Sequence, residues 1–161
     1  MRPWRRRRQW PQCPPRAQAR GRGGRGGNAP SAPAPRDANG KIIERWTQWD
    51  KILKRPHFLA INPYDPDKYI WLVDDHMHAI YKFTHDGKTL VQTIGTPTVK
   101  GADGTHFNRP TFLNWLPDGT LFVADGYNGT RVAKFDKNGK FLMDWGMKGS
   151  NDHDTRPGYF N

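Results

Sequence analysis

The sequence is short of most things that would staple a chain or anchor it in a bilayer. It has one cysteine, Cys13, so no intrachain disulfide and no cysteine-based metal site can form. No apolar run approaches the roughly 18 residues needed to span a membrane. The start, MRPWRRRRQWPQ, is basic but lacks the apolar stretch of a signal peptide. Residues 1–36 hold no Lys, Asp or Glu, yet they hold ten of the 26 basic residues. The remainder carries 16 basic against 15 acidic groups, so the net charge of +11 belongs almost entirely to this tail. It says nothing about what the rest of the chain binds.

The tail is Arg, Gly, Pro and Ala with little aliphatic bulk, and such a composition predicts disorder over residues 1–36. Gly21 to Gly27 (GRGGRGG) invites RNA binding, because guanidinium groups meet phosphates and stack on bases. A low-complexity linker is the preferred reading of this one short run, as it is of Asn28 to Pro35.

What is abundant from Asp37 onward is short β-branched and aromatic runs separated by Gly, Asn, Asp and Pro. Thr111 to Trp115, Thr120 to Ala124, Arg131 to Phe135 and Phe141 to Trp145 read as four antiparallel strands. Pro117-Asp118-Gly119, Asp125 to Gly129 and Asp136 to Gly139 supply the turns. The same unit occurs earlier, as Arg55 to Ile61, Tyr69 to Val73, Ala79 to Phe83 and Thr89 to Ile94. Asp74 falls on Asp125, Phe83 on Phe135, Gly87 on Gly139 and Gly95 on Gly146, a period of 51 or 52 residues. Ala38 to Lys41 predicts a further hairpin turn, and Ile42 to Trp49 a last strand left from a preceding unit. Phe160-Asn161 repeats Phe107-Asn108, the lead-in to a unit. The expected fold is all-β: a partial β-propeller of about two four-stranded blades with flanking strands over residues 37–161. Such an arc leaves one wall of its core open, so further blades or self-association are needed to cover its edges.

Phe107-Asn108-Arg109-Pro110-Thr111, Phe122 to Tyr127, Arg131-Val132 and Gly139-Lys140-Phe141 resemble NHL-repeat propellers, and among these the peptidyl-α-hydroxyglycine α-amidating lyase group. The resemblance implies a six-bladed ring, zinc held by three histidines in the central channel, a structural calcium, and a secreted or periplasmic location. It implies cleavage of hydroxyglycine-extended peptides to a peptide amide and glyoxylate. Carried over to matching positions, it makes His57 a zinc ligand, the Leu59 carbonyl a calcium ligand and Tyr127 the catalytic base. Asn128 stands where the family has cysteine, and Gly129-Thr130 replaces its usual Asn-Ser. Two zinc-binding histidines and the family's arginines have no match, so the catalytic set is incomplete and the fragment is expected to be inactive.

Plainer roles stand beside these. His57 at a strand start can be structural, and Tyr127 can be an exposed rim aromatic on a loop face that binds peptide, protein or glycan without catalysis. His76 and His78 read as turn residues rather than a metal clip. His85, His106 and His153 lie in polar turns and are assigned nothing. Asp125 and Arg131 are expected to brace their loop. Trp46, Trp49, Trp71, Trp115 and Trp145 are expected to pack between blades. Asp74-Asp75 alone is a weak calcium signal.

Overall fold

The computed structural model describes residues 33–150 and 156–160. The tail up to Ala32, with Cys13 and the GRGGRGG run, lies outside them, as do His153 and Asn161. The described residues form two four-stranded antiparallel sheets, each a simple meander. The first contains β1 (Pro56–Ile61), β2 (Ile70–Asp74), β3 (Ala79–Phe83) and β4 (Leu90–Ile94). The second contains β5 (Phe112–Trp115), β6 (Leu121–Asp125), β7 (Arg131–Phe135) and β8 (Phe141–Trp145). A short parallel pair, β9 (Met147–Lys148) with β10 (Tyr159–Phe160), follows. No helix among the described residues is long and apolar enough to cross a membrane.

The repeat read from the sequence is a repeat in space. Asp74 and Asp125 end the second strand of their sheets, and Phe83 and Phe135 end the third. Gly95 and Gly146 follow the fourth strands, both with positive φ, and an aromatic ring closes against each: Phe107 on Gly95 and Phe160 on Gly146. A side chain at either glycine would collide with that ring, so both the backbone angle and the close approach demand glycine.

Alternation within the strands gives each sheet two faces. Trp71, Val73, Ile80 and Ile94 of the first sheet pack against Leu113, Trp115, Leu121, Val123, Ala133 and Phe135 of the second, forming the shared core. Gln92 Nε2 reinforces this by donating to the Asn138 carbonyl at 2.7 Å. The face of the second sheet that corresponds to Trp71, Val73, Ile80 and Ile94 carries Phe112, Met143 and Trp145, all exposed. Trp145, 42% exposed, therefore does not pack between two four-stranded sheets here, and only two such sheets form among the described residues.

The segment Ile42 to Trp49 departs from expectation. The turn is present: Asp37 Oδ1 accepts from the backbone of Asn39 and Lys41, as Asp136 Oδ1 accepts from Asn138 and Lys140. No strand follows it. One bridge forms, Arg36 to Ile42, with the Ile43 and Trp46 N–H groups donating to the Pro35 and Pro33 carbonyls, and the chain then turns into a 3₁₀ segment, η1 (Thr47–Trp49). The cause is the pairing partner: the proline-rich run before Asp37 cannot supply a full row of N–H donors. The tryptophans then serve the first sheet differently. Trp49 and Ile52, with fully buried Leu53, cover its outer face of Leu72, Met77, Ala79, Tyr81 and Phe83. Trp49 Nε1 and Gln48 Nε2 donate to the Gly87 carbonyl, and the Trp46 ring lies where a Gly87 side chain would be.

Two buried polar groups hold the lead-ins. Asp74, fully buried, accepts from the backbone N–H groups of Lys54, Arg55, His76 and Met77 at 2.7 to 3.0 Å. His78 sits in the left-handed region (φ 56°), and its Nδ1 accepts from the Arg109 backbone N–H at 3.0 Å, linking the first sheet to the second sheet's lead-in. That bond requires an unprotonated Nδ1, and burial, with Lys100 and His76 nearby, depresses the His78 pKa.

Asp74→Ala is expected to cost about 3–5 kcal/mol, since four buried donors lose their acceptor; urea unfolding of the full chain reads this, and a cost below about 1 kcal/mol would contradict it. Because the folded His78 is held neutral, its stabilisation is complete above about pH 6.5 and lost as pH falls through its lower folded value. The urea midpoint should therefore drop on acidification, and His78→Asn, which tolerates the same backbone angle, should remove that part of the slope.

Candidate functional site

His57 and Tyr127 are 70 residues apart in sequence and meet at the loop end of the two sheets. His57 begins the edge strand β1, next to the bulge between Pro56 and Phe58. Tyr127 stands in the turn between β6 and β7 and is 56% exposed. Packing of β1 against β5, through Phe58 and Phe112 with ring centroids 4.4 Å apart, brings the two together.

The hydrogen bonds around the His57 ring settle its chemistry. Nδ1 lies 3.0 Å from the Thr111 carbonyl, which only accepts, so Nδ1 carries a proton. In the neutral ring Nε2 is then the acceptor, and it lies 3.0 Å from the Tyr127 hydroxyl, which donates to it. The rings meet edge to face. A backbone carbonyl that fixes the tautomer in this way is the usual partner of a metal-binding histidine. The single Nε2 lone pair can serve the phenol or a metal, not both at once.

Behind Tyr127 lies a charged cluster that the sequence reading did not assign. Asp75, almost fully buried, takes a bidentate pair from Arg55 (2.6 and 2.7 Å) and two further bonds from Arg109 (3.1 and 2.9 Å). Burial pushes the Asp75 carboxyl up, but the two guanidinium groups outweigh it and hold the group below the usual carboxylate range. The Arg109 guanidinium also covers the Tyr127 ring at 4.4 Å. Arg109 has φ 68°, a conformation rare for a residue with a side chain. The available signal was the pair Arg55-Pro56 and Arg109-Pro110, an Arg-Pro step opening both units.

The other candidates fall out as follows. Leu59 sits in β1 opposite Leu72 with its side chain 49% exposed. Asp125 and Arg131 brace their loop, as expected. Arg131 bonds Asp125 and Asp144 and donates to the carbonyls of Asp103 and His106, while Asp125 also accepts from the Asn108 backbone. Burial raises the Asp125 pKa against the pull of the Asn108 and Arg131 bonds. His78 is the turn residue it was expected to be, and His76 donates its backbone N–H to Asp74. Among the described residues no three His, Cys, Asp or Glu side chains gather as a metal site, so His57 belongs to no such set here.

No family profile matches the chain. It is 37% identical over 106 residues to the peptidyl-glycine alpha-amidating monooxygenase B of Xenopus laevis, covering 65% of this chain and 12% of that protein. It is 35% identical over 113 residues to the peptidyl-alpha-hydroxyglycine alpha-amidating lyase 1 of Drosophila melanogaster, covering 68% of this chain and 20% of the lyase. With the peptidylglycine alpha-amidating monooxygenase of Rattus norvegicus the identity is 34% over 125 residues, 76% of this chain and 12% of that protein. The chain thus spans between about an eighth and a fifth of the length of these relatives. Over two thirds of its residues it is related in sequence to the peptidyl-alpha-hydroxyglycine alpha-amidating lyases and the amidating monooxygenases.

Proposed function

We propose that this chain is an arc of an NHL-type, six-bladed amidating lyase, and that the contact between His57 and Tyr127 is its share of the active site. The observation that carries the reading is the hydrogen bond joining the two residues assigned by resemblance, formed across two consecutive repeats with the His57 tautomer fixed. In a hydroxyglycine-extended peptide the hydroxyl oxygen and the amide nitrogen share one carbon. Removal of the hydroxyl proton by the Tyr127 oxygen lets a carbonyl form as the carbon–nitrogen bond breaks. The nitrogen takes a proton and departs as the primary amide, and the carbon leaves as glyoxylate. In a completed ring the His57 Nε2 that meets the Tyr127 hydroxyl here would instead be given to the metal.

Zinc is part of the reading only for a completed ring. Three protein ligands are needed, and the described residues gather no such set. His57 is assigned as one zinc ligand and the Leu59 carbonyl as one calcium ligand, with the others supplied by further blades. The isolated chain is accordingly inactive, and secretion or a periplasmic location follows from the same reading.

A chimera tests this: residues 33–160 replace the two matching repeats of the fruit-fly lyase. It is expected to release glyoxylate from an α-hydroxyglycine peptide, while the isolated chain does not. Tyr127→Phe in the chimera should slow release by about 10²–10⁴, and His57→Ala should remove stoichiometric zinc. A folded chimera that works equally well with phenylalanine at position 127 would overturn the assignment.

A further inference from the structure

At the opposite end of the strands from His57, the two sheets part around a cleft of about 350 Å³. One side is the turn after β1 and the start of β2, with Tyr64, Asp65, Tyr69 and Trp71; the other is the turn after β5, with Asp118 and Gly119, and Asp136 after β7. We propose that this cleft is a binding site for a neutral saccharide.

Charges of both signs line the cleft. Lys82 reaches into the cleft with its ammonium 4.1 Å from the Tyr69 ring centre and 5.2 Å from that of Trp71. Those two rings are its only partners among the described residues. Asp65, Asp67, Asp118 and Asp136 line the same cleft, and an anionic ligand would meet four carboxylates. A polyhydroxylated neutral molecule satisfies both, because each hydroxyl can donate to one group and accept from another.

The hydrogen-bonding inventory agrees. Trp71 is 5% exposed, lines the cleft, and its Nε1–H has no hydrogen-bond partner among the described residues. An indole N–H only donates, so what satisfies it must be an acceptor. Lys82 supplies further donors. Asp65 and Asp136 each commit Oδ1 to their own turn, Asp65 to the Asp67 N–H and Asp136 to the N–H groups of Asn138 and Lys140. Their second oxygens take no hydrogen bond among the described residues and face the ligand's hydroxyl protons. Tyr64, half exposed, offers an aromatic face to the C–H side of a sugar ring, and the edge-to-face pair Trp71–Trp115, 5.8 Å apart, forms a floor. Sites for small molecules commonly combine such apolar walls with a few placed polar groups. A free saccharide and one attached to a protein present the same hydroxyls.

The full chain, labelled with ¹⁵N, is titrated with maltotriose, cellotriose and N,N′,N″-triacetylchitotriose, and the indole N–H signals are followed. At least one sugar is expected to shift the Trp71 signal saturably. Tyr64→Ala and Lys82→Met should each weaken that binding at least tenfold; Tyr64 is exposed, so its variant tests the site without threatening the fold. A uronic acid of the same linkage, facing four carboxylates, should bind at least tenfold more weakly. Retention of the chain on a glycoprotein column that is abolished by enzymatic deglycosylation would identify an attached glycan; binding of the free sugar alone would identify a free one. Absence of any saturable shift, or a shift unchanged in both variants, would overturn the proposal.

Discussion

One buried carboxylate per sheet organises this molecule. Asp74 and Asp125 end the second strand of their sheets, out of reach of solvent, and take backbone N–H groups from the segment that leads into the first strand. A buried acceptor with several donors aimed at it is strong, and costly to leave unpaired. It fixes where each first strand starts relative to its own sheet. With both starts fixed, the packing of one sheet on the other fixes everything at the loop end.

The candidate site is a consequence of that geometry. Tying Lys54 and Arg55 to Asp74 places His57 at the mouth of β1, and tying Asn108 to Asp125 places Arg109 beside the turn that carries Tyr127. Asp75 then draws arginines from both lead-ins onto a single carboxylate. Two guanidinium groups on one acid leave a surplus of positive charge behind the phenol. Neither sheet alone builds the contact between His57 and Tyr127, because one residue comes from each. The contact is a property of neighbouring repeats, in keeping with stability that comes from interfaces between them.

Much of the fold was legible because the repeat is written twice. Asp74 with Asp125, Phe83 with Phe135 and Gly95 with Gly146 mark strand ends that sterics and hydrogen bonding make hard to vary, and all three pairs occupy matching places. What failed to read was whatever occurs once. Ile42 to Trp49 has the sequence of a strand, but a strand needs a partner, and its neighbours are prolines; the tryptophans cover the first sheet instead. Asp75 has no counterpart, since Gly126 stands at its place in the second unit, so beyond a weak calcium signal with Asp74 nothing pointed to its arginine partners. The left-handed backbone of Arg109 and the donor it offers to His78 are equally unique, and nothing in residue type announces them.

The account turns on the protonation of one ring. Long-range ¹H–¹⁵N correlation of the His57 imidazole at neutral pH measures which nitrogen carries the proton. The structure requires the Nδ1–H form, with Nε2 as acceptor and its chemical shift altered when Tyr127 is changed to Phe. A ring protonated on Nε2 and indifferent to Tyr127 would mean that the two sheets do not bring these residues together, and the reading of the site would fail with it.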